Sequence, residues 1–168
     1  YCMSKIVIDP GHGGTDPGTV NGSRYEKNDN LRLGLAVRDI LQNWGQEVVM
    51  TRSTDVYVPL NTRSAISNAA NPDLFISLHR NGSTNTSANG VENYVYTYPT
   101  TTSTNYANAV LNRVVVSSQM NNRGLKRGNF AVLRNTNAPA QLLELGFITN
   151  ANDNALFDAN FNANALAI

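Results

Sequence analysis

One cysteine, Cys2, is all that the 168-residue chain contains. An internal disulfide and a cysteine-built zinc site are both excluded. Only two histidines are present, His12 and His79, so a tightly held metal must rely on them and on carboxylates. Charge is sparse as well. Asp, Glu, Lys and Arg make up 15% of the residues, and the net charge is +1. That balance supplies no field to gather nucleic acid or an anionic membrane, and no run of Lys and Arg supplies one locally. No apolar stretch approaches the roughly 20 residues that cross a bilayer. The N-terminus lacks a basic segment followed by an apolar one, so no signal peptide is read there. No internal repeat is evident.

What remains is the make-up of one folded domain. Hydrophobic residues reach 41%, and the length suits a single full-sized core. Asparagine clusters in Asn85-Thr86-Ser87-Ala88-Asn89-Gly90 and again between residues 150 and 164, where it favours turns and helix caps. The chain stops at Ala165-Leu166-Ala167-Ile168 within a helix-like pattern. We therefore expect residues 1–168 to be one domain of a longer protein.

Short apolar runs alternate with amphipathic segments. Ile6-Val7-Ile8 reads as a buried strand ended by Pro10-Gly11. Residues from about 28 to 44 read as a helix capped by Asn28 or Asp29, with Leu33, Ala36, Val37, Ile40, Leu41 and Trp44 as its apolar stripe. Further strands are expected at residues 47–51, 74–78, 91–97, 131–133 and 141–145. Further helices are expected at 60–70, with Leu60, Ile66 and Ala70 inward, at 105–120, with Ala109, Val110, Val114 and Val115 apolar, and at 152–156 and 161–168. This order implies an α/β domain with a mostly parallel twisted sheet of about six strands and helices on both faces. In such sheets ligands bind beyond the carboxyl ends of the strands.

Both histidines fall at that edge. His12 follows the first strand and His79 ends the third. A catalytic zinc takes three protein ligands, so two histidines call for a carboxylate. Asp9, Asp16, Glu26, Asp29 and Glu92 all qualify, and spacing does not choose among them. Glu144 stands within Leu142-Leu143-Glu144-Leu145-Gly146-Phe147, where a lone carboxylate is costly unless paired. Two explanations remain open: a salt bridge to Arg63 or Arg134, or a general base for an attacking water. Pro10-Gly11-His12-Gly13-Gly14 lacks the Lys-Ser/Thr of a phosphate loop; its glycines suit a sharp turn close to a metal or substrate.

Taken together, several segments resemble the zinc-dependent N-acetylmuramoyl-L-alanine amidases of the amidase-3 type. They are Ile6-Val7-Ile8-Asp9-Pro10-Gly11-His12-Gly13-Gly14, Glu26 ahead of Asn30-Leu31, Thr51-Arg52-Ser53-Thr54-Asp55 with Leu60 and Arg63, and Phe75-Ile76-Ser77-Leu78-His79-Arg80-Asn81. Arg123-Gly124-Leu125-Lys126 follows, running on through Val132-Leu133-Arg134 and Pro139-Ala140 to Leu143-Glu144-Leu145-Gly146-Phe147-Ile148-Thr149-Asn150. Each piece is modest, and their order along nearly the whole chain is specific. The resemblance implies Zn²⁺ held by His12, Glu26 and His79, with Glu144 catalytic. It implies hydrolysis of the amide between N-acetylmuramic acid and L-alanine in peptidoglycan. A monomer is expected, and charge and hydropathy point to no nucleic-acid partner and no membrane insertion. Asp9 and Asn81 are candidates for orienting the ligands, and Arg123 and Lys126 for lining a muropeptide groove.

Some members of that family carry a helical insertion over the zinc. The connections here are short, so an open site is expected, as in a phage endolysin or a spore or wall autolysin. Action on the cell wall is expected, reached through a holin or on cell lysis, with a wall-binding domain beyond Ile168. The competing expectations are a zinc peptidase or deacetylase acting on another wall bond, and a wall-binding module without catalysis.

Overall fold

The structure is a computed structural model that describes residues 2–168. Its strands are β1 (Lys5–Pro10), β2 (Val20–Asn21), β3 (Arg24–Tyr25), β4 (Glu47–Met50), β5 (Leu74–Asn81), β6 (Val91–Tyr96), β7 (Asn122–Gly128) and β8 (Ala140–Phe147). The helices are α1 (Glu26–Asn43), α2 (Leu60–Ala70), α3 (Thr101–Ser118), α4 (Ala131–Arg134), α5 (Ala151–Ala159) and α6 (Phe161–Ala167). Six strands form one sheet in the order β4-β1-β5-β8-β6-β7. Within this sheet only the β6–β8 pairing is antiparallel, and β2 and β3 form a separate antiparallel pair. The expected single α/β domain with a mostly parallel six-stranded sheet is what forms.

Side chains alternate across a strand with period two, and this divides the sheet into two unequal faces. Ile6 and Ile8 of β1, Ile76 and Leu78 of β5, and Leu143 and Leu145 of β8 pack with Leu33 and Val37 of α1, Val110 and Val114 of α3, Phe157 of α5 and Ala165 of α6. The other face holds a smaller core of Val7, Phe75, Ala140 and Leu142 under Val132 and Leu133 of α4, with Ala70 of α2 beside it. Continuing in phase on that second face, Val7 leads to Asp9, Phe75 to Ser77 and His79, and Leu142 to Glu144. The apolar cover gives out there, and polar residues take its place at the carboxyl edge.

Several local expectations are corrected. Residues 131–133 form part of a helix, α4, and the sixth strand is β7 instead. Helix α1 starts at Glu26, ahead of Asn28 and Asp29, and its N-cap, Tyr25, has no side-chain cap bond. The loop before it does the capping: the Glu26 and Lys27 amides donate to the Thr19 and Pro17 carbonyls at 3.0 and 3.1 Å. Trp44 and Leu60 point outward, 57% and 60% exposed, and Ala109 is exposed. Helix α2 instead buries Arg63, Ser64 and Ser67, because the Arg63 guanidinium finds its acceptors inside. Helix α3 begins at Thr101, four residues before the expected start, where the Thr100 hydroxyl accepts from the Ser103 amide at 3.1 Å.

Candidate metal centre

The turn after β1 is built to bring backbone and side chain close together. Gly11 lies flat against the His79 ring, and a Cβ there would collide with it. Gly18 has φ +66°, and a Cβ would stand 2.5 Å from Glu26 Oε2 and 2.7 Å from His12 Cδ2. His12 itself takes φ +63°, an uncommon conformation for a residue with a side chain. Two buried arginines hold the turn in place. Arg52 donates to the carbonyls of Pro10 and Gly11 at 2.9 Å each. Arg63 donates to those of Pro10 and His12 at 2.7 Å each. Asn30 of α1 adds a bond to the Gly11 carbonyl at 3.1 Å.

His12 and His79 converge on one carboxylate. His12 Nε2 lies 3.2 Å, and His79 Nδ1 3.1 Å, from Glu26 Oε1. The two rings stand 5.0 Å apart, edge to face. One donor atom from each of the three residues falls within 4.8 Å of the others, so the group can hold a metal ion. The other carboxylates considered as ligands are engaged elsewhere. Asp9 pairs with Arg63 at 2.9 Å, Asp29 with Arg80 at 2.7 Å, Asp16 with the far side of His12 at 2.8 Å, and Glu92 with Arg123 and Lys126. Two imidazoles and a carboxylate form a mixed nitrogen and oxygen set of the kind zinc accepts.

The three residues compensate one another's charge. Burial works against a charged His12, but Glu26 and Asp16 outweigh it and raise its pKa to about 9. Burial likewise opposes charge on His79, and Glu26 and Glu144 still raise it. Burial alone would raise the Glu26 carboxyl; hydrogen bonds from both histidines hold it well below the usual carboxylate range.

Glu144 lies across from His79 in the β5–β8 register. Neither Arg63 nor Arg134 reaches it. Arg63 serves Asp9, and Arg134 bonds Asn129. The Glu144 Oε2 atom is buried with no hydrogen-bond partner. Burial pushes this carboxyl from 4.5 up to about 7, opposed by His79 and reinforced by Glu26 and Glu92. A cleft of about 680 Å³ opens over His12, Glu26, His79 and Glu144, with Tyr57, Leu60 and Phe130 among its apolar walls. The His12 and His79 side chains keep 26% and 16% exposure, so the centre is open to solvent.

The remaining site expectations divide. Asp9 and Asn81 both line the cleft. Asn81 donates to Glu92 Oε1 at 2.7 Å. Arg123 and Lys126 are not among the residues that line this cleft. They belong to edge strand β7 and turn to Glu92 Oε2, Arg123 at 3.0 Å. Four groups went unrecognised in the sequence: Ser77, Asp16 as a partner of His12, Arg52 and Arg63. Alternation along β5 places Ser77 on the face of His79, which was the available signal.

An α/β domain carrying a His-Glu-His group fit for a metal at the carboxyl edge of its sheet defines the class. The sequence profile of the amidase-3 family, described as N-acetylmuramoyl-L-alanine amidase, matches residues 6–168, and the chain belongs to that family. It is 39% identical over 153 residues to the sporulation-specific N-acetylmuramoyl-L-alanine amidase of Bacillus subtilis (strain 168), covering 90% of this chain and 59% of that protein. The chain thus spans less than two thirds of that relative. Among solved structures it is similar to the catalytic domain of CwlV, an N-acetylmuramoyl-L-alanine amidase from Bacillus (Paenibacillus) polymyxa. That comparison gives TM-score 0.92 and 38% identity, with 99% of this chain and 94% of that one covered. It is also similar to an N-acetylmuramoyl-L-alanine amidase of Clostridium difficile 630, with TM-score 0.94, 32% identity, and 99% and 92% coverage.

Proposed function

We propose that the chain hydrolyses the amide between the lactyl group of N-acetylmuramic acid and L-alanine in peptidoglycan. In this reading His12, Glu26 and His79 hold Zn²⁺, and Glu144 carries the proton. The observation that supports it best is a pair of neighbours in one register. His79 belongs to the metal-binding group, and Glu144 beside it keeps a buried oxygen without a partner.

Bound zinc supplies Lewis acidity, making a water more acidic and a carbonyl more electrophilic. The Glu144 carboxylate accepts the proton of the attacking water as the new C–O bond forms. It passes that proton to the alanine nitrogen as the C–N bond breaks. Burial raises this carboxyl and the positive charge of a bound ion would lower it, so it is placed to accept a proton and to release it. His12 stays in place on the arginine-braced turn, Glu26 at the start of α1 and His79 on β5.

Digestion of purified walls tests the reaction. Release of new amino groups with no new reducing sugar ends is expected. New reducing ends without amino groups would point to a glycosidase and overturn the proposal. Identification of the fragments by mass spectrometry separates amide cleavage at muramic acid from cleavage within the peptide or deacetylation.

A further inference from the structure

We infer that Asp16 and the Asp9–Ser77 pair are positioning residues that lock the two histidines in opposite tautomers. His12 is thereby committed to bind metal through Nε2, and His79 through Nδ1. The inference rests on the proposed metal role of His12, Glu26 and His79.

The direction of each hydrogen bond follows from counting protons. Asp9 is buried, and its Oδ1 already accepts from Thr51 Oγ1 at 2.6 Å and from Arg63 Nη1 at 2.9 Å. Paired with a guanidinium, Asp9 offers acceptors only. Ser77 Oγ lies 2.7 Å from Asp9 Oδ2 and therefore spends its single proton there. The same hydroxyl lies 3.0 Å from His79 Nε2. With its proton committed, it can only accept, so His79 Nε2 carries hydrogen. The nitrogen left for a metal is Nδ1, the atom that faces Glu26; a proton it shares with Glu26 is released when metal binds.

His12 is arranged the other way round. Its Nδ1 lies 2.8 Å from Asp16 Oδ2, while Asp16 Oδ1 accepts from the Gly18 amide at 3.1 Å. A carboxylate accepts, so His12 Nδ1 carries hydrogen and Nε2 faces Glu26. Ligating histidines held by an outer acceptor bind metal more tightly, and loss of such a partner typically costs 10–100-fold in affinity. Arg63 links the two arrangements. Its guanidinium bonds Asp9 and also the His12 carbonyl, so one buried group steadies both rings. The Asp9–Ser77 side is buried, whereas the Asp16 side chain is 43% exposed. Water can replace Asp16 far more readily than it can replace Ser77.

The test is ¹⁵N NMR of histidine-labelled protein loaded with Zn²⁺, together with Zn²⁺ affinity by chelator competition. The chain has two histidines, so the ring spectrum holds two sets of signals. In the wild type one ring should bind through Nδ1 with Nε2–H protected, and the other through Nε2 with Nδ1–H protected. Ser77→Ala should lower Zn²⁺ affinity 10–100-fold and remove protection from His79 Nε2–H, leaving His12 unchanged. Asp16→Asn should act on the His12 signals and cost less affinity. Zinc bound through the same nitrogen in both rings would overturn the inference. So would a folded Ser77→Ala with wild-type affinity and unchanged His79 signals. If Ser77→Ala fails to fold, the wild-type spectrum alone decides. A wild type that takes up no Zn²⁺ overturns the metal reading and this inference together, whereas uptake through the wrong nitrogen overturns this inference alone.

Discussion

Glu92 and Glu144 face each other across the β6–β8 pairing, and their surroundings could hardly differ more. Glu92 is 3% exposed and accepts from Asn81, Tyr94, Arg123 and Lys126. Those donors outweigh its burial and lower its pKa. Glu144 has a buried oxygen with no donor, and burial raises its pKa to about 7. Two identical side chains in one register thus receive opposite assignments from their neighbours. The saturated one is a fixed charge that braces the edge of the sheet. The unsatisfied one is free to gain and lose a proton where His79 and the cleft meet. In the proposed reaction the chemical role falls to the one of the two glutamates whose bonding the fold leaves incomplete.

The largest expected effect separates the two in metal-free protein. Glu144 prefers its proton in the folded state, so the fold has this group's full contribution below 4.5 and loses it as pH rises through about 7. Glu144→Gln has no such dependence. Thermal melts should show the variant gaining on the wild type between pH 4.5 and pH 8, by up to about 3 kcal/mol. Equal pH dependence in the two proteins would show that Glu144 is not held in a desolvated site.

Glu92→Ala should act in the opposite sense. It strands four donors and should cost about 1–3 kcal/mol in urea denaturation. The cost stays below that of breaking a fully buried pair because the Arg123 and Lys126 side chains are 35% and 37% exposed. A cost near zero would make Glu92 dispensable and dissolve the contrast. Glu92→Gln removes a negative charge that raises Glu144, so the acid limb of the pH–activity profile should move to lower pH by a fraction of a unit. Movement to higher pH would contradict the electrostatic link. Least affected should be Leu60→Ser at the rim. Leu60 is 60% exposed, and its stability should change by no more than about 0.5 kcal/mol.

How much of this was readable in advance differs from element to element. The fully apolar runs of β1 and β5 announced themselves, and the two histidines at their ends marked the edge where the site lies. Strand β7 did not. Its Asn-Arg-Gly-Leu-Lys-Arg-Gly sequence resembles a turn, because an edge strand exposed along much of its length needs no apolar alternation. Residues 131–133 misled in the opposite direction. Three apolar residues fit a strand or a buried helical turn equally well, and here packing over the smaller core chose the helix. In the candidate site, spacing left five carboxylates open as the third donor. The family resemblance names Glu26, and in the fold the other four pair with an arginine, a lysine or the outer nitrogen of His12. Arg52 and Arg63 stood in segments that were noticed, but their role depends on carbonyls exposed by a turn at positive φ, which the sequence does not display.

The account rests on Glu144 moving protons beside a metal that it does not bind. Glu144→Gln, assayed for zinc per chain and for amino groups released from purified walls, tests that directly. The prediction is stoichiometric zinc with turnover lowered about 10²–10⁴-fold. Full zinc content with turnover near that of the wild type would contradict it.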